Sequence, residues 1–449
     1  MCVRFSELDA LRIGVWGAGR EVRSFAQQLA RRMPSAQIAV AAFDDAAPDG
    51  LRETLRAPDL RVVTGSAVAG ALAECDVVVR SPGVSIHRPE MRALRAAGVR
   101  VTTATALWLA EREGRGVIGV TGSKGKSTTA ALIAHLARAG GRSAHLAGNI
   151  GVPALDLLDQ PPFDLAVLEL SSYQIADLPV GPEVALITNL FREHVDWHGS
   201  EQAYHAEKLR LLALPGVRRV VLNGRDAQLA RAADDAAQVT FYGVADGWDA
   251  SAAGVQLGGV PMLESAQLPL PGEHNALNLC GALAALEAFG IAAPPLAQTL
   301  AGFTALPHRL QTVAHSGGAV WVDDSISTTP ESALAALASF PAHEIVLIAG
   351  GQDRGQDYAQ LAHALAERRA TVIGVPSTGS RLIEAALDAG VPAERAIAAP
   401  DLAAAVALAR ERSRPGAAIL LSPAAPSYDS YRDFEERGER FQSLASGPA

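Results

Sequence analysis

Residues suited to binding phosphate occur together in positions 116–141, "GVIGVTGSKGKSTTAALIAHLARAGG". A β-branched run precedes the glycines and an alanine-rich run follows them, which predicts a strand, a loop and a helix. Backbone N–H groups of such a loop converge on anions at the helix N-terminus, Lys126 supplies a positive charge, and Ser127 can ligate magnesium. The stretch predicts nucleotide binding by a shortened P-loop. Its residues are Gly122, Ser123, Lys124, Gly125, Lys126, Ser127 and Thr128.

Further polar residues follow the next apolar runs. Glu169 ends the run in "LAVLELSSYQ", where a carboxylate can hold magnesium or can simply be solvated. The stretch "TNLFREHVDWHGSEQAYHAEKLRLL" adds Asn189, His194 and Lys208. Spacing alone favours a packing role for the histidine and a solvated helical position for Lys208.

Two glycine-containing turns near the N-terminus are less specific. "GVWGAGR" keeps Gly17 and Gly19 but has Val22 at the third position of a dinucleotide fingerprint. It indicates either a tight strand-to-helix turn without a ligand or a hydride-transfer enzyme. "SPGVS", which begins at Ser81, is either a simple turn or a source of backbone N–H groups for a phosphate.

Short β-branched runs alternate with Ala/Leu/Arg-rich helical runs along the whole chain. The strands and helices that this pattern predicts must position the candidate site residues. The alternation predicts an α/β protein with parallel, doubly wound sheets, whose ligands bind at the carboxyl ends of the strands. A chain of 449 residues exceeds one compact core. We expect three domains, with boundaries near Glu113 and near Ala305.

Composition narrows the functional classes. The net charge is −9 and basic residues form no cluster, which argues against a nucleic-acid partner. The three cysteines match no metal or redox spacing and fit a reducing cytoplasm. No apolar run is long enough to span a membrane, and we expect a cytoplasmic protein without a signal peptide.

The motifs together resemble the Mur ligases, ATP-dependent enzymes that build the peptide of bacterial cell-wall precursors. The resemblance covers essentially the whole chain and includes the shortened P-loop. In chain order the motifs are "GVTGSKGKSTT", "GNIG", "LELSSYQ", "TNLFREHVDWH", "AEKLRLL", "GEHNALN", "LPHRL" and "LSPAAPSYDSYRDFEERG". The resemblance implies a Rossmann-like UDP-substrate domain (1–113), a central P-loop ATPase domain (114–305) and a Rossmann-like C-terminal ligase domain that binds the amino acid (306–449).

The resemblance also implies an activity. The closing motif looks most like the glutamate-adding branch, whose substrates are UDP-N-acetylmuramoyl-L-alanine and glutamate. ATP would phosphorylate the carboxylate, and the amine would then attack the acyl phosphate. Two magnesium ions are implied, one held by Ser127 and Glu169 and one by His194 and a carbamylated Lys208. We expect a monomer.

Other residue roles come from the resemblance alone. Asn278 is similar to an adenine contact, and Arg309 and Asp324 to groups that close over the nucleotide. The residues implied to contact the UDP-linked substrate are Gly17, Arg20, Ser81, Pro82, Gly83, Asn149 and Ser171.

The chain departs from the D-glutamate-adding pattern at three places. The run "DSISTTPES" lacks a lysine and an asparagine that are usual there, Tyr428 replaces a leucine, and Arg354 replaces a lysine. These runs resemble the L-glutamate-adding subfamily, so we expect L-glutamate, in a pocket of Thr328, Arg354, Ser427 and Phe434. The alternatives are the D-glutamate-adding ligase and a P-loop ATPase of another class, which would not require Lys208.

Overall fold

The computed structural model describes residues 3–191, 200–233, 238–270, 272–300, 302–304 and 307–447. The chain forms two compact units, Met1–Leu268 with Glu273–Phe303, and Pro269–Gly272 with Thr304–Ala449. Within the first unit, one hydrophobic cluster continues across position 113, since it contains Phe25, Trp108 and Leu155. The predicted boundaries near Glu113 and Ala305 remain predictions.

The first sheet of unit one has five parallel strands in the order β3-β2-β1-β4-β5. These strands are β1 (Ile13–Trp16), β2 (Ile38–Phe43), β3 (Arg61–Thr64), β4 (Val77–Arg80) and β5 (Arg100–Thr102). The helices are α1 (Arg20–Arg32), α2 (Leu51–Thr54), α3 (Val68–Leu72), α4 (Pro89–Ala96) and α5 (Ala104–Arg112). Helix α5 begins where the Thr103 hydroxyl accepts a hydrogen bond from the Ala106 N–H, which satisfies one free donor of the first turn.

The second sheet of unit one has six parallel strands in the order β11-β10-β9-β6-β8-β7. They are β6 (Val117–Thr121), β7 (Ala144–Gly148), β8 (Leu165–Glu169), β9 (Val184–Ile187), β10 (Arg219–Asn223) and β11 (Val239–Tyr242). Strands β6, β8 and β9 are buried along their whole length, as expected of parallel strands covered on both faces.

Among the described residues, five helices accompany this sheet. They are α6 (Lys126–Ala139), α7 (Ser172–Ile175), α8 (Glu201–Leu209), α9 (Ala227–Ala232) and α10 (Glu273–Phe289). Helices α6 and α10 contribute Leu132, Leu136 and Leu283 to a cluster with Val167 and Leu186 of the sheet.

A small antiparallel sheet was not expected from the sequence. Its strands are β12 (Trp248–Ser251), β13 (Gly254–Leu257) and β14 (Val260–Glu264). The turn between β13 and β14 consists of Gly258 and Gly259 with φ of 55° and 80°. Two residues with positive φ match the twist of a hairpin, and glycine adopts them without steric cost.

Unit two contains one sheet in the order β15-β16-β20-β17-β18-β19, parallel except for β15. The strands are β15 (Gln311–Ser316), β16 (Ala319–Asp323), β17 (Ile345–Ala349), β18 (Thr371–Gly374), β19 (Ala396–Ala398) and β20 (Ala418–Leu421). The helices are α11 (Pro330–Ala338), α12 (Ala359–Glu367), α13 (Gly379–Asp388), α14 (Leu402–Arg412) and α15 (Phe434–Ala445).

Helices cover both faces of the unit-two sheet. On one face, Leu361 and Leu382 pack in a cluster with Leu347. On the other, Val406 and Phe441 pack in a second cluster with Ile348. The α/β class with parallel, doubly covered sheets is therefore confirmed. Among the described residues, no helix combines the length and the apolar composition needed to cross a bilayer.

Candidate active site

The glycine-rich loop lies at the carboxyl end of β6, and its glycines are required by close contacts. Gly122 has φ of 139°, and a Cβ there would lie 1.9 Å from the Thr188 hydroxyl oxygen. Gly125 has φ of 81°, and its Cβ would lie 2.3 Å from Oδ1 of Asn278. Both distances are impossible for a side chain, so the loop shape depends on glycine at both positions.

Asn189 fixes the middle of this loop. Its Oδ1 accepts from the Lys124 N–H at 2.8 Å and its Nδ2 donates to the Lys124 carbonyl at 3.0 Å. The Thr188 hydroxyl donates to the same carbonyl at 2.6 Å. Two residues that follow β9 therefore hold the loop backbone in one orientation.

The ammonium of Lys126 donates to the Ser123 carbonyl at 2.7 Å, which keeps this positive charge at the loop. The Ser123 hydroxyl donates to the Phe191 carbonyl at 3.0 Å, accepts from the Phe191 N–H at 2.8 Å and contacts the Tyr204 hydroxyl at 3.1 Å. Ser123 thus shapes the loop. Ser127 and Thr128 are buried in the first turn of α6.

Glu169 ends β8 and is 1% exposed. Its Oε1 accepts from Nδ2 of Asn149 at 2.7 Å, whereas its Oε2 is buried and has no hydrogen-bond partner among the described residues. A buried carboxylate oxygen without a donor is costly unless a cation or water occupies the site. The pair of residues Glu169 and Ser127 is chemically suited to the predicted Mg²⁺.

Lys208 lies in α8 and is 1% exposed, which rules out the solvated helical lysine that spacing alone favoured. Its Nζ donates to the Thr121 hydroxyl at 3.4 Å and lies 4.7 Å from the Tyr204 ring centroid. His194 lies outside the described residues. Within those residues, no three His, Cys, Asp or Glu side chains form a metal cluster, so a second metal site remains a prediction.

The predicted adenine and substrate contacts of the central region have defined neighbours. Asn278 in α10 packs on Gly125 and donates to Oδ1 of Asn275 at 3.3 Å. Ser171 caps α7, where its hydroxyl oxygen accepts from the Gln174 N–H at 3.2 Å. The contacts of Asn278 with adenine and of Ser171 with the substrate stay predictions.

The two N-terminal turns lie against each other at the ends of β1 and β4. The hydroxyl of Ser81 accepts from the Gly19 N–H at 3.1 Å, and a Cβ at Gly17 would lie 2.7 Å from that oxygen. Pro82 and Gly83 continue the Ser81 turn. Arg20 donates to the carbonyls of Gly148, Asn149 and Gly151 at 2.9, 2.8 and 3.2 Å. Arg20 therefore ties α1 to the "GNIG" loop.

In unit two, Asp324 is buried after β16. Its carboxylate accepts from the hydroxyls of Ser327 and Ser422 and from the Leu310 N–H, at 2.5, 2.8 and 3.1 Å. Burial outweighs these bonds and the nearby Arg309 charge, and raises the pKa of Asp324 to about 6. The preceding Asp323 accepts from Nδ1 of His308 at 2.7 Å, which raises the pKa of that histidine.

The four predicted glutamate contacts occupy loops and a helix start of unit two. Ser427 is buried, Thr328 and Phe434 are half-buried, and Arg354 is exposed. The Arg354 guanidinium lies 5.8 Å from the Tyr428 ring centroid. The carbonyl of Phe434 accepts from the Ser325 hydroxyl at 2.8 Å, which joins α15 to the end of β16.

Comparison with known proteins decides the family. Models described as Mur ligase MurD-like N-terminal domain, Mur ligase middle domain, and Mur ligase glutamate ligase domain match residues 12–103, 120–286 and 308–425. Two relatives, from Micromonospora sp. ATCC 39149 and Salinispora tropica, are each 45% identical over 98% of this chain. The matches cover 97% and 98% of those proteins, both named UDP-N-acetylmuramoyl-L-alanine--L-glutamate ligase. The chain belongs to the Mur ligase family.

Solved structures show the same fold. The MurC ligase of Thermotoga maritima gives a TM-score of 0.59 at 20% identity, covering 96% of this chain and 98% of that one. The MurF ligase of the same organism, in complex with ADP, gives 0.58 at 16% identity, covering 99% and 97%. Its membership of the Mur ligase family, shown by the domain models and the 45% identical relatives, makes this Mur ligase an amide-bond-forming enzyme that uses ATP.

The structure of this Mur ligase shows polar contacts within each unit that the sequence did not reveal. Thr188 and Tyr204 contact the loop through hydroxyl groups. In unit two, Arg437 is 3% exposed and donates to the carbonyls of Ser325 and Ala425 at 2.9 and 3.1 Å. Its position in "FEERG" gave no sign of this burial, because charged residues surround it on an amphipathic helix.

Proposed function

We propose that this Mur ligase joins L-glutamate to UDP-N-acetylmuramoyl-L-alanine in cytoplasmic peptidoglycan precursor synthesis, with conversion of ATP to ADP and phosphate. The observation that carries the proposal is the 45% identity, over nearly the whole chain, to relatives named for that reaction. The glycine loop, Lys126 and the buried Glu169 provide the chemistry it needs.

A carboxylate is a poor acylating agent, because its leaving group would be an oxide. Transfer of the γ-phosphate of ATP to the carboxylate of the alanyl residue releases ADP and forms an acyl phosphate. The amine of glutamate then attacks the carbonyl carbon, loses a proton and expels phosphate. The enzyme mainly has to position the reactants and neutralise phosphate charge.

Lys126 and the loop N–H groups bind the phosphates of ATP in this proposal. Ser127 and Glu169 would hold one Mg²⁺, and Lys208, as a carbamate, would hold a second with His194. When bound, the ions offset the negative charge of the phosphoryl group. The burial of Lys208 supports the carbamate, since modification by carbon dioxide turns a buried cation into a metal-binding anion.

The remaining substrate contacts follow the same assignment. Asn278 contacts adenine, and Arg309 and Asp324 contribute to nucleotide binding from the C-terminal region. Gly17, Arg20 and the turn at Ser81 bind the UDP end, and Asn149 and Ser171 contact the substrate from the central region. The monomeric state stays a prediction.

The preference for L-glutamate rests on the names of the relatives and on the changed residues around the predicted pocket. Inversion at the α-carbon exchanges the directions of the α-carboxylate and the side chain, so the donors must move. Arg354, stacked near Tyr428, supplies a planar group that can bind a carboxylate through two hydrogen bonds. The D-glutamate-adding ligase is the alternative.

The test offers the purified enzyme ATP, Mg²⁺ and UDP-N-acetylmuramoyl-L-alanine with each glutamate enantiomer separately, and detects the product by mass. We expect product with L-glutamate, and multiple-turnover ADP production that requires both the UDP-linked carboxylate and the amino acid. Efficient use of D-glutamate with L-glutamate inert would overturn the enantiomer. ATP hydrolysis independent of both substrates would overturn the ligase assignment.

A further inference from the structure

Arg80 is an arginine at the end of β4 with no exposed surface. Its Nη1 donates to the carbonyls of Pro82 and Val84, both at 2.7 Å, and to that of Ser81 at 3.2 Å. Three carbonyls of one turn therefore point at a single guanidinium. The two N–H groups of Nη1 serve these three carbonyls, and Nη2 and Nε of the planar group stay available for acceptors on another side, which a single ammonium nitrogen does not offer.

The same guanidinium reaches a second segment. Its Nη2 donates to the Tyr173 carbonyl at 2.9 Å, and its Nε is hydrogen-bonded to Asp177, which is also buried. Tyr173 lies within α7 and Asp177 follows its end. Ser171 caps the start of this helix, so Arg80 connects the Ser81 turn to the segment that begins at Ser171.

The surroundings of Arg80 are those of a fixed buried cation. Its charge acts on Glu21, a buried carboxylate whose pKa is raised by burial despite hydrogen bonds from Gln174 and Thr105. Gln174 in turn accepts from the Ser171 N–H at 2.8 Å and donates to Glu21 at 2.6 Å. Removing one partner of a buried ion pair leaves the other charge uncompensated, which is strongly destabilising. The pair of Arg80 and Asp177 is therefore a fixed contact of this region.

We propose that Arg80 is a positioning residue for the UDP-linked substrate, because it sets the distance and orientation between the Ser81 turn and Ser171. The inference rests on the proposed function, in which these two segments contact opposite parts of one substrate. A small misplacement of either segment weakens binding without touching the P-loop.

The experiment measures equilibrium binding of UDP-N-acetylmuramoyl-L-alanine and, separately, of ADP by calorimetry in the full-length enzyme. Arg80→Gln is expected to raise the Kd of the UDP-linked substrate by about tenfold or more and to leave the Kd of ADP unchanged. Arg80→Lys should recover little of this affinity, because lysine lacks the planar donors.

Arg210→Gln is the matched control. Arg210 donates to the carbonyls of Ile175 and Leu178, so it holds the same segment but does not touch the Ser81 turn. We expect the control to lower the thermal unfolding temperature without changing the Kd of the UDP-linked substrate. Equal rises in Kd for the control and for Arg80→Gln would show a general structural role and overturn the proposal.

A second variant covers the case in which Arg80 variants do not fold. Asp177→Asn keeps the shape of the partner and removes its charge, and it should raise the same Kd severalfold. An unchanged Kd in folded Asp177→Asn overturns the positioning role of Arg80. If the wild-type enzyme ligates, the proposed function still stands. Wild-type enzyme that neither binds nor ligates the UDP-linked substrate would instead overturn the proposed function, and this inference with it.

Discussion

Asn149 donates its side-chain amide to Oε1 of Glu169 at 2.7 Å and thereby orients the carboxylate at the end of β8. Asn149 follows β7, the neighbouring strand, so the contact joins two strand ends. The second carboxylate oxygen stays buried without a donor among the described residues. An oriented oxygen of this kind is what a hard divalent cation requires.

Glu169→Gln should preserve the bond to Asn149 and remove the negative charge. We expect the Mg²⁺ concentration for half-maximal activity to rise by about tenfold or more, because a neutral amide is a weaker ligand for Mg²⁺. Asp164→Asn, which changes an exposed carboxylate just before the same strand, is the control and should leave that concentration unchanged. Unaltered Mg²⁺ dependence in Glu169→Gln would exclude Glu169 as a ligand.

Lys126→Ala should reduce the rate of ADP release by on the order of 10² to 10³, as does the loss of one transition-state donor in other enzymes. The variant loses the bond of a half-buried side chain to the Ser123 carbonyl, so its unfolding temperature should change little. Arg142→Ala removes an exposed positive charge beyond the end of α6 and serves as the control. Near-normal turnover in folded Lys126→Ala would contradict the phosphate-binding role.

Lys208→Ala should be inactive and partly rescued by added formate or acetate, because a short carboxylate replaces the missing carbamate anion. Turnover is measured across a range of carboxylate concentrations. Lys126→Ala is the control, since the same carboxylates cannot replace a cation. A fully active Lys208→Ala enzyme, or equal rescue of both variants, would reject the carbamate.

The difference in unfolding free energy between Asp324→Asn and wild type should shift in favour of the variant as the pH rises from about 4 to about 6. The pKa of Asp324 is raised from 3.8 to about 6, so the folded state binds more protons in this range and wild type loses stability as the proton leaves. Complete ionisation costs up to ~3 kcal/mol. The measurement is thermal unfolding of both proteins at several pH values.

Asp353→Asn is the control for this pH series. Asp353 is exposed. Its pKa is lowered mainly by a hydrogen bond from the Gly355 N–H and further by one from Arg381. Any stability that the Asp353 carboxylate contributes therefore increases with pH, whereas the stability that Asp324 contributes decreases with pH. Parallel pH profiles of Asp324→Asn and wild type would show that burial does not raise the Asp324 pKa.

Arg354→Ala should raise the KM for glutamate by about tenfold or more, because a charge-assisted hydrogen bond to a carboxylate contributes roughly 1.5–3 kcal/mol. The KM values for ATP and the UDP-linked substrate should not change. Arg432→Ala is the control, since Arg432 is exposed and pairs with its neighbour Asp433. An unchanged glutamate KM would remove Arg354 from the pocket.

Much of the fold could be predicted from the sequence, because buried parallel strands such as β6 and β17 are uninterrupted apolar runs. The antiparallel strands differ in kind, because an alternation of strands and helices predicts parallel sheets alone. β15 is half-exposed and pairs antiparallel with β16 through Gly317 and Gly318, and β13 joins β14 through Gly258 and Gly259. Two adjacent glycines between strands are a hairpin signal that this alternation does not contain.

The candidate site was predictable where chemistry and local spacing coincide, as in the loop around Lys126. It was not predictable where partners are distant in sequence. The contacts of Arg80 with Asp177, and of Glu21 with Gln174, join different strands and helices. Residue type alone favours an exposed position for such charges, so their burial emerges only from tertiary packing.

The glycine loop is completed by residues synthesised much later, Thr188 against Gly122 and Asn278 against Gly125. On the ribosome, the nascent chain therefore lacks the walls of its nucleotide site until α10 has emerged. A product truncated before α10 carries the whole P-loop motif and yet should not retain ADP.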